Sequence, residues 1–452
     1  FVIRSDGDMQ KEIVELYSWQ DGQLFKEREV SSMANVTTVK RIITGNVFQN
    51  VPAVFVSSEL DEEHIITDIY GYRNGTFENL TMTAGANTTV QTLRNYNVYS
   101  CDIDGDGEDE AVVFLKLVSD LPLAVYVFDK QGDSFSLVSK VEGSGSAFDH
   151  VLYVPFDDRP GYEIVLGRQL SGQVLQLLNV YSLRGSTLTE LMSTEYAEFV
   201  TADLDADSRQ EIVVLHSGGD SQNGIAELYC WADGQLKRER EVSMSVAVSS
   251  VKRILTGYMC RNVAAVFVAS EYSDGSLITD IFVFRDGVFT NLSRSEDANT
   301  DVQTLRDYYI YGGDIDKDGL IELPRIIALD EAEYEEYTKG QSLIEWYDLQ
   351  KDGGETTRLL TYHNYAGGWY LEIPEKWKNK LIVWRGPVLM GNTGYIFRLG
   401  DAALFSVAAV SGEDAARIVQ DAKWSVLTQK GDVIYACHIE TAGVSNGLSV
   451  DS

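Results

Sequence analysis

Residues 102–110 read Asp102-Ile103-Asp104-Gly105-Asp106-Gly107-Glu108-Asp109-Glu110, and an apolar run, Ala111-Val112-Val113-Phe114-Leu115, follows directly. The pattern returns at Asp314-Ile315-Asp316-Lys317-Asp318-Gly319-Leu320-Ile321-Glu322. Working backward from both, Val90-Gln91-Thr92-Leu93-Arg94 matches Val302-Gln303-Thr304-Leu305-Arg306, and Val39-Lys40-Arg41-Ile42 matches Val251-Lys252-Arg253-Ile254. Further back, Glu15-Leu16-Tyr17-Ser18-Trp19 matches Glu227-Leu228-Tyr229-Cys230-Trp231. The spacing never changes, so 15–110 and 227–322 are one unit copied without a gap, about half of it identical. A duplication of this length means a repeat architecture.

A finer repeat lies inside it. Turn signals between strand-like runs recur at roughly 50-residue intervals. They are Trp19-Gln20-Asp21-Gly22-Gln23-Leu24, Tyr72-Arg73-Asn74-Gly75-Thr76-Phe77, Phe128-Asp129-Lys130-Gln131-Gly132-Asp133, Leu183-Arg184-Gly185-Ser186-Thr187-Leu188, Trp231-Ala232-Asp233-Gly234-Gln235-Leu236, Phe284-Arg285-Asp286-Gly287-Val288-Phe289 and Leu349-Gln350-Lys351-Asp352-Gly353. Asn-Gly and Asp-Gly suit two-residue hairpins, because both central positions need positive φ. Four strands per repeat is the unit of a β-propeller blade, and seven hairpins predict seven blades. The duplication holds four blades, and its second copy has room for three. Helical periodicity is scarce before residue 360.

The expected organisation is a mostly β chain: a seven-bladed propeller with metal-binding loops over residues 1–362, then a small α+β domain over 363–452. In the latter, strands are predicted at 369–373, 380–384, 395–399, 403–408 and 433–438, with a helix over 413–422 capped by Ser411.

Charge agrees with this division. The 452 residues carry 37 basic and 69 acidic side chains, a formal net charge of -32, and nearly all the excess lies before about residue 360. Such a surface repels phosphate backbones, so no nucleic-acid partner is expected. No apolar run approaches the ~20 residues of a membrane span. The opening Phe1-Val2-Ile3 reads as mid-strand and aligns with Val213-Val214-Leu215, so further sequence, with any targeting segment or lipid anchor, is expected upstream.

Three loops share one carboxylate pattern: Asp102, Asp104, Asp106 and Glu110; Asp203, Asp205, Asp207 and Glu211; Asp314, Asp316, Asp318 and Glu322. Carboxylates on alternate residues of a tight loop converge and repel one another, which a hard cation offsets; Ca²⁺ takes six to eight such oxygens. The first, third, fifth and ninth positions would offer side chains, and the seventh (Glu108, Arg209 or Leu320) a backbone carbonyl. An EF-hand needs glutamate at position twelve. Here that position holds Val113, Val214 and Arg325, and the flanks are strand-like. Solvated acidic turns are the alternative, and the second loop has Ser208 where the others have glycine.

The carboxylate loop running into a Val/Ile-rich strand resembles the integrin-type β-propeller repeats, called FG-GAP or VCBS repeats, over about residues 1–360. The Phe-Gly and Gly-Ala-Pro signatures are absent, so the likeness is to the broad VCBS branch. The resemblance implies structural Ca²⁺ between the first two strands of a blade, in extracytoplasmic, often bacterial surface proteins. The intervening loops at 44–52, 256–264 and 155–163 are degenerate, so intact and lost sites alternate. Gly368-Trp369-Tyr370-Leu371-Glu372-Ile373-Pro374-Glu375-Lys376-Trp377 resembles a strand-plus-tryptophan opening of small domains in bacterial surface lipoproteins, which carries no activity.

Other candidates are weaker. Cys230 and Cys260 are gained together where the first copy has Ser18 and Phe48, which suggests a disulfide between repeats; two unrelated thiols is the alternative. His64, His150, His216, His363 and His438 lack metal-site spacing, and no nucleophile or nucleotide motif is present. Trp369, Trp377, Trp384 and Trp424 read as core packing or as a ligand platform. Lys376, Lys378, Lys380 and Arg385 form a basic stretch that either faces the acidic propeller or is solvated. The functional expectation is a monomeric, non-enzymatic binding or scaffold module for a protein or carbohydrate ligand. The rival is a polysaccharide lyase or glycosidase with its site in the propeller channel.

Overall fold

The structure is a computed structural model and describes residues 2–6, 11–20, 23–31, 38–47, 51–59, 64–73, 76–79, 91–93, 97–116, 123–131, 134–143, 145, 147–170, 176–218, 223–272, 274–294, 304–329, 341–351, 353–365 and 367–449. It is mostly β, built from consecutive antiparallel sheets in which each strand pairs with the next along the chain. The first sheet has three strands, Val2–Asp6, Lys11–Gln20 and Gln23–Ser31. The second runs Thr38–Val47, Val51–Glu59, His64–Arg73 and Thr76–Asn79, with Gln91–Leu93 added on the third strand. Four-stranded sheets then begin at Asn97–Cys101, Ala147–Val154, Glu198–Ala202, Val251–Cys260 and Leu323–Ala328. Consecutive four-stranded meanders are what propeller blades are made of.

The hairpins form where the turn residues permit them. Asp233 and Gly234 have φ of 52° and 80°, and Asp286 and Gly287 have 53° and 74°. Two positive angles in a row define the type I′ turn whose twist matches the flanking strands. Several other hairpin tips, such as 21–22 and 74–75, lie outside the described residues.

The middle strands are buried on both faces. Glu163–Gln169 is buried at every residue but the last, whereas the outer strand Gln235–Ser243 is almost wholly exposed. Alternation then sends neighbouring residues to opposite sides. Ile164 and Leu166 pack with Val112, Phe114 and Val125 of the third sheet. Val165, Leu178 and Val180 pack with Ile212 and Val214 of the fifth. Each fully buried side chain of this size contributes ~1.5–3 kcal/mol, so stacking of the sheets is the main stabilising contact.

The chain forms two compact units, 1–249 and 250–452. Within the second, the sheet at Leu323–Ala328 departs from the pattern. Its expected first strand is reduced to a bridge between Gly313 and Glu322. Ser342–Leu349 and Glu355–Asn364 follow, and Trp369–Glu372 adds on the outside. The boundary expected at 362/363 therefore falls inside Glu355–Asn364, and the strand predicted at 369–373 belongs to this sheet. A five-stranded antiparallel sheet follows, in spatial order Leu381–Leu389, Asn392–Leu399, Ala402–Ser411, Val433–Ile439, Ser425–Lys430. Its helix is Ala415–Asp421, entered through Asp414 with no side-chain cap, so Ser411 does not cap it. Leu381, Val383 and Phe397 share a core with Leu343, Leu360 and Tyr362 of the preceding sheet. Among the described residues no helix is long and apolar enough to cross a membrane.

Candidate metal centres

The three carboxylate loops have one design. In the first two, the loop joins the first strand of a sheet to the second: 102–109 lies between Asn97–Cys101 and Glu110–Lys116, and 203–210 between Glu198–Ala202 and Glu211–Ser217. The residue at position two is apolar, and Ile103 and Leu204 are buried. That anchor brings its backbone N–H to the glutamate at position nine. Ile103 N donates to Glu110 Oε2 at 2.7 Å, Leu204 N to Glu211 Oε2 at 2.8 Å, and Ile315 N to Glu322 Oε2 at 2.8 Å.

The first aspartate is held from within the loop. Gly105 N and Gly107 N donate to Asp102 at 2.7 and 3.0 Å, Ser208 N to Asp203 at 3.0 Å, and Gly319 N to Asp314 at 3.1 Å. These bonds require left-handed backbone at positions four and six. The first loop meets that need with Gly105 and Gly107 (φ 83° and 89°), the third with Lys317 and Gly319 (65° and 89°), and the second with Ala206 and Ser208 (65° and 75°). A side chain at such angles costs roughly 1–2 kcal/mol per residue.

In each loop the first, third and ninth carboxylates converge. Oxygens of Asp102, Asp104 and Glu110 lie within 4.8 Å of one another, as do those of Asp203, Asp205 and Glu211, and of Asp314, Asp316 and Glu322. Two oxygens sharing a Ca²⁺ at ~2.4 Å each can be no more than ~4.8 Å apart. Glu110 and Glu322 are completely buried. Among the described residues, Glu110 Oε1, Glu322 Oε1 and Asp203 Oδ1 are buried without a hydrogen-bond partner. Burial raises Glu110 to about 9, and Glu211 and Glu322 to about 7, with the loop aspartates adding to the shift. Burial also raises Asp104 and Asp205. A buried carboxylate oxygen with no donor, converging with two further carboxylates, suits a cation, and these clusters could hold a metal ion.

At position five, Asp106, Asp207 and Asp318 each accept the backbone N–H of position seven: Glu108 N at 2.8 Å, Arg209 N at 2.8 Å and Leu320 N at 2.9 Å. They brace the loop. Arg209, read from sequence only for its carbonyl, also places its guanidinium on Asp207, Nε at 2.8 Å, and thereby lowers that carboxyl.

Sequence reading missed Arg159. In the degenerate loop 155–163 the frame persists: Phe156 N donates to Glu163 Oε2 at 3.0 Å, with Phe156 and Glu163 buried. Arg159, at position five, fills the loop with its own charge. Its Nε donates to Asp157 at 2.6 Å, and its Nη2 donates to Glu163 Oε1 at 3.2 Å and to Ser182 at 2.9 Å. The signal in the sequence was a basic residue at position five, where the three carboxylate loops have aspartate.

The remaining candidates scatter. Cys230 and Cys260 are free thiols, and burial pushes Cys230 up to about 12. Trp377 is buried in the core shared by the last two sheets, and Trp369 packs against it. Trp424 stacks on His438 at 5.9 Å, and the Arg398 guanidinium lies over Trp384 at 4.1 Å. The tryptophans thus pack separately instead of forming one platform. Lys378 pairs with Glu345 of the preceding sheet, while Lys376 donates to the Asn446 carbonyl at 3.3 Å.

No family model matches the sequence, and no curated protein does. Solved structures with similar shape include a rhamnogalacturonan lyase of Bacillus licheniformis (12% identity, 95% of this chain and 80% of that one, TM-score 0.36). The β-propeller domain of the trilobed protease from Pyrococcus furiosus is another (11%, 83% and 94%, TM-score 0.31). A third is Sqt1 from Saccharomyces cerevisiae (11%, 90% and 99%, TM-score 0.37).

Proposed function

We propose that this chain is an exported, calcium-stabilised β-propeller of seven blades whose loops and channel present a non-enzymatic binding or scaffold surface to a protein or glycan. The observation that carries the calcium reading is the buried, unpartnered oxygen of Glu110, with its equivalent on Glu322, each inside a set of three convergent carboxylates. Asp102, Asp104 and Glu110 would hold the ion in the first site, Asp203, Asp205 and Glu211 in the second, and Asp314, Asp316 and Glu322 in the third. The ion supplies positive charge that fixes the strand-to-strand loops; no bond-breaking chemistry is asked of it. Sites of this openness fit the weak, ~10⁻⁴–10⁻³ M affinity of extracellular modules, and thus a cell-surface or secreted setting. The monomeric state and an upstream lipid anchor belong to the same proposal.

The test is thermal unfolding in chelator, in millimolar Ca²⁺ and in millimolar Mg²⁺. At millimolar Ca²⁺ and a Kd of ~10⁻⁴–10⁻³ M, the gain is about 0.4–1.4 kcal/mol per site. At ~2–4 °C per kcal/mol, the expected Ca²⁺-selective rise is several degrees. Coincident curves in all three buffers would sink the reading.

A further inference from the structure

The ninth-position glutamate of each loop has a neighbour across the sheet. The pairs Ala111↔Phe128, Ile164↔Tyr181, Ile212↔Tyr229 and Leu323↔Tyr347 fix the register. One step further toward the loop, Asp129 stands opposite Glu110, Ser182 opposite Glu163, Cys230 opposite Glu211 and Asp348 opposite Glu322. Directly opposed residues of antiparallel strands share one face, with Cβ atoms ~5 Å apart. Loops of one design thus differ at the residue that flanks their buried glutamate.

Each of these residues bears on its loop. In the arginine-filled loop, the Ser182 hydroxyl donates to Glu163 Oε1 at 3.3 Å and accepts from Arg159 Nη2 at 2.9 Å. In the first loop, burial raises Asp104 and Glu110, and the Asp129 charge raises both further, so the three carboxylates share one field. In the second, Cys230 is a half-buried free thiol, raised by burial and then by Glu211 and Asp205. In the third, Asp348 is completely buried, and Arg358 neutralises it through Nε at 2.9 Å and Nη2 at 2.5 Å. The same guanidinium stands 3.8 Å from Asp318. The flanking position therefore brings a fourth carboxylate to the first loop, a neutral group to the second, and a carboxylate already balanced by arginine to the third.

We propose that this cross-strand position sets how tightly each loop holds its cation, and that Asp129 makes the first loop the strongest calcium site of the three. The proposal rests on the calcium reading above and adds a rank order to it. Asp129 stands beside Glu110, which is completely buried and keeps an oxygen that no described residue partners. Calcium affinity is tuned by the count of ligand charges. A carboxylate ~6 Å from a divalent ion changes its affinity by about tenfold even at the dielectric of water. That factor covers the ~10⁻³ to ~10⁻⁴ M range of extracellular sites. The first loop falls at the tight end, and the second, with its thiol and with Arg209 on Asp207, at the weak end.

The experiment is calorimetric titration of the full chain with Ca²⁺, in the wild type and in single variants whose fold is checked by circular dichroism. Glu110→Gln should remove the tightest class of sites, which assigns that class to the first loop. Asp129→Asn keeps size and drops charge, and should weaken the tightest site by about tenfold, while Asp129→Glu holds it. The loss in Asp129→Asn should narrow as KCl rises, because it is a loss of charge and not of packing. Cys230→Asp gives the second loop the flanking group of the first and should tighten the weakest site by about tenfold; Cys230→Asn should not. Unchanged affinities in Asp129→Asn and Cys230→Asp, or a tightest class that survives Glu110→Gln, would overturn the proposal and leave the calcium reading standing. No calcium uptake by the wild type would sink both.

Discussion

Loops 102–110 and 155–163 serve consecutive sheets and share a frame, yet they meet the repulsion of their carboxylates differently. Both anchor an apolar residue at position two and close on a buried glutamate at position nine. In 155–163 the compensating charge is covalent: Arg159 reaches Asp157 and Glu163. In 102–110 no basic side chain enters among the described residues, and none of them partners Glu110 Oε1. The other two loops fall between. Arg209 clamps Asp207 at the rim of the second, and Arg358 stands 3.8 Å from Asp318 of the third. The comparison teaches that the chain supplies a positive charge of its own, Arg159, where the first position holds Pro155. A soluble cation in the other three loops is the proposal that the predictions below test.

The largest effect should come from neutralising the ninth position in each loop. In chelator, Glu110→Gln removes a buried, uncompensated acid and offers an amide that can donate to Asp102 or Asp104. It should stabilise by about 1–3 kcal/mol. Glu163→Gln removes a partner of Arg159, whose side chain is 45% exposed, but also a carboxyl that burial raises, so its effect should stay within about 1 kcal/mol of neutral. With Ca²⁺ present, Glu110→Gln should turn destabilising as its site is lost, while Glu163→Gln should behave as before. Melting curves of both variants in both buffers check this; a gain in chelator at Glu163→Gln as large as at Glu110→Gln would break the comparison.

A smaller effect lies in pH. Glu110 rises from an ordinary 4.5 to about 9 on folding, so the folded chain takes up a proton there. Stability from this group is present in full below pH 4.5 and is lost as pH rises through 9. Glu211 and Glu322 act alike, with their loss running from 4.5 to about 7. The chelated protein should therefore melt lower at pH 8.5 than at pH 5.5. Bound Ca²⁺ holds the same carboxylates ionised, so the gap should shrink or reverse. An identical pH slope with and without calcium would show that these glutamates do not meet the ion.

Much of this could be read from the sequence, for identifiable reasons. Duplication and hairpins were visible because Asp233-Gly234 and Asp286-Gly287 need positive φ and alternation needs period two. The convergence of Asp102, Asp104 and Glu110 followed from spacing alone. The bracing role of Asp106 did not, because spacing does not say whether a carboxylate turns toward the centre or toward the backbone two residues on. Arg159 was hidden because a cation inside an acidic loop has no periodicity. Strand Ser425–Lys430 was missed because all six residues are exposed and lack an apolar rhythm. Arg306 was visible as a repeated letter, but its burial depends on the chain turning back onto Leu277, a contact made across 29 residues.

The smallest effect concerns the second loop, which adopts the conformation of the first without its glycines. Ser208 sits at φ 75° where Gly107 sits at 89°, and its N–H still reaches Asp203. Ser208→Gly relieves that strain, worth roughly 1–2 kcal/mol, but gives back about 0.5–1 kcal/mol in unfolded-chain entropy. The net expectation is a gain of about 0.5–1 kcal/mol, or ~1–4 °C, in chelator and in Ca²⁺ alike, because the strain is in the backbone whether or not an ion is bound. Gly107→Ala, the mirror change, should cost at least as much. If Ser208→Gly is neutral while Gly107→Ala is costly, the second loop does not share the first loop's backbone. Its three carboxylates would then lose the frame that makes them comparable to Asp102, Asp104 and Glu110.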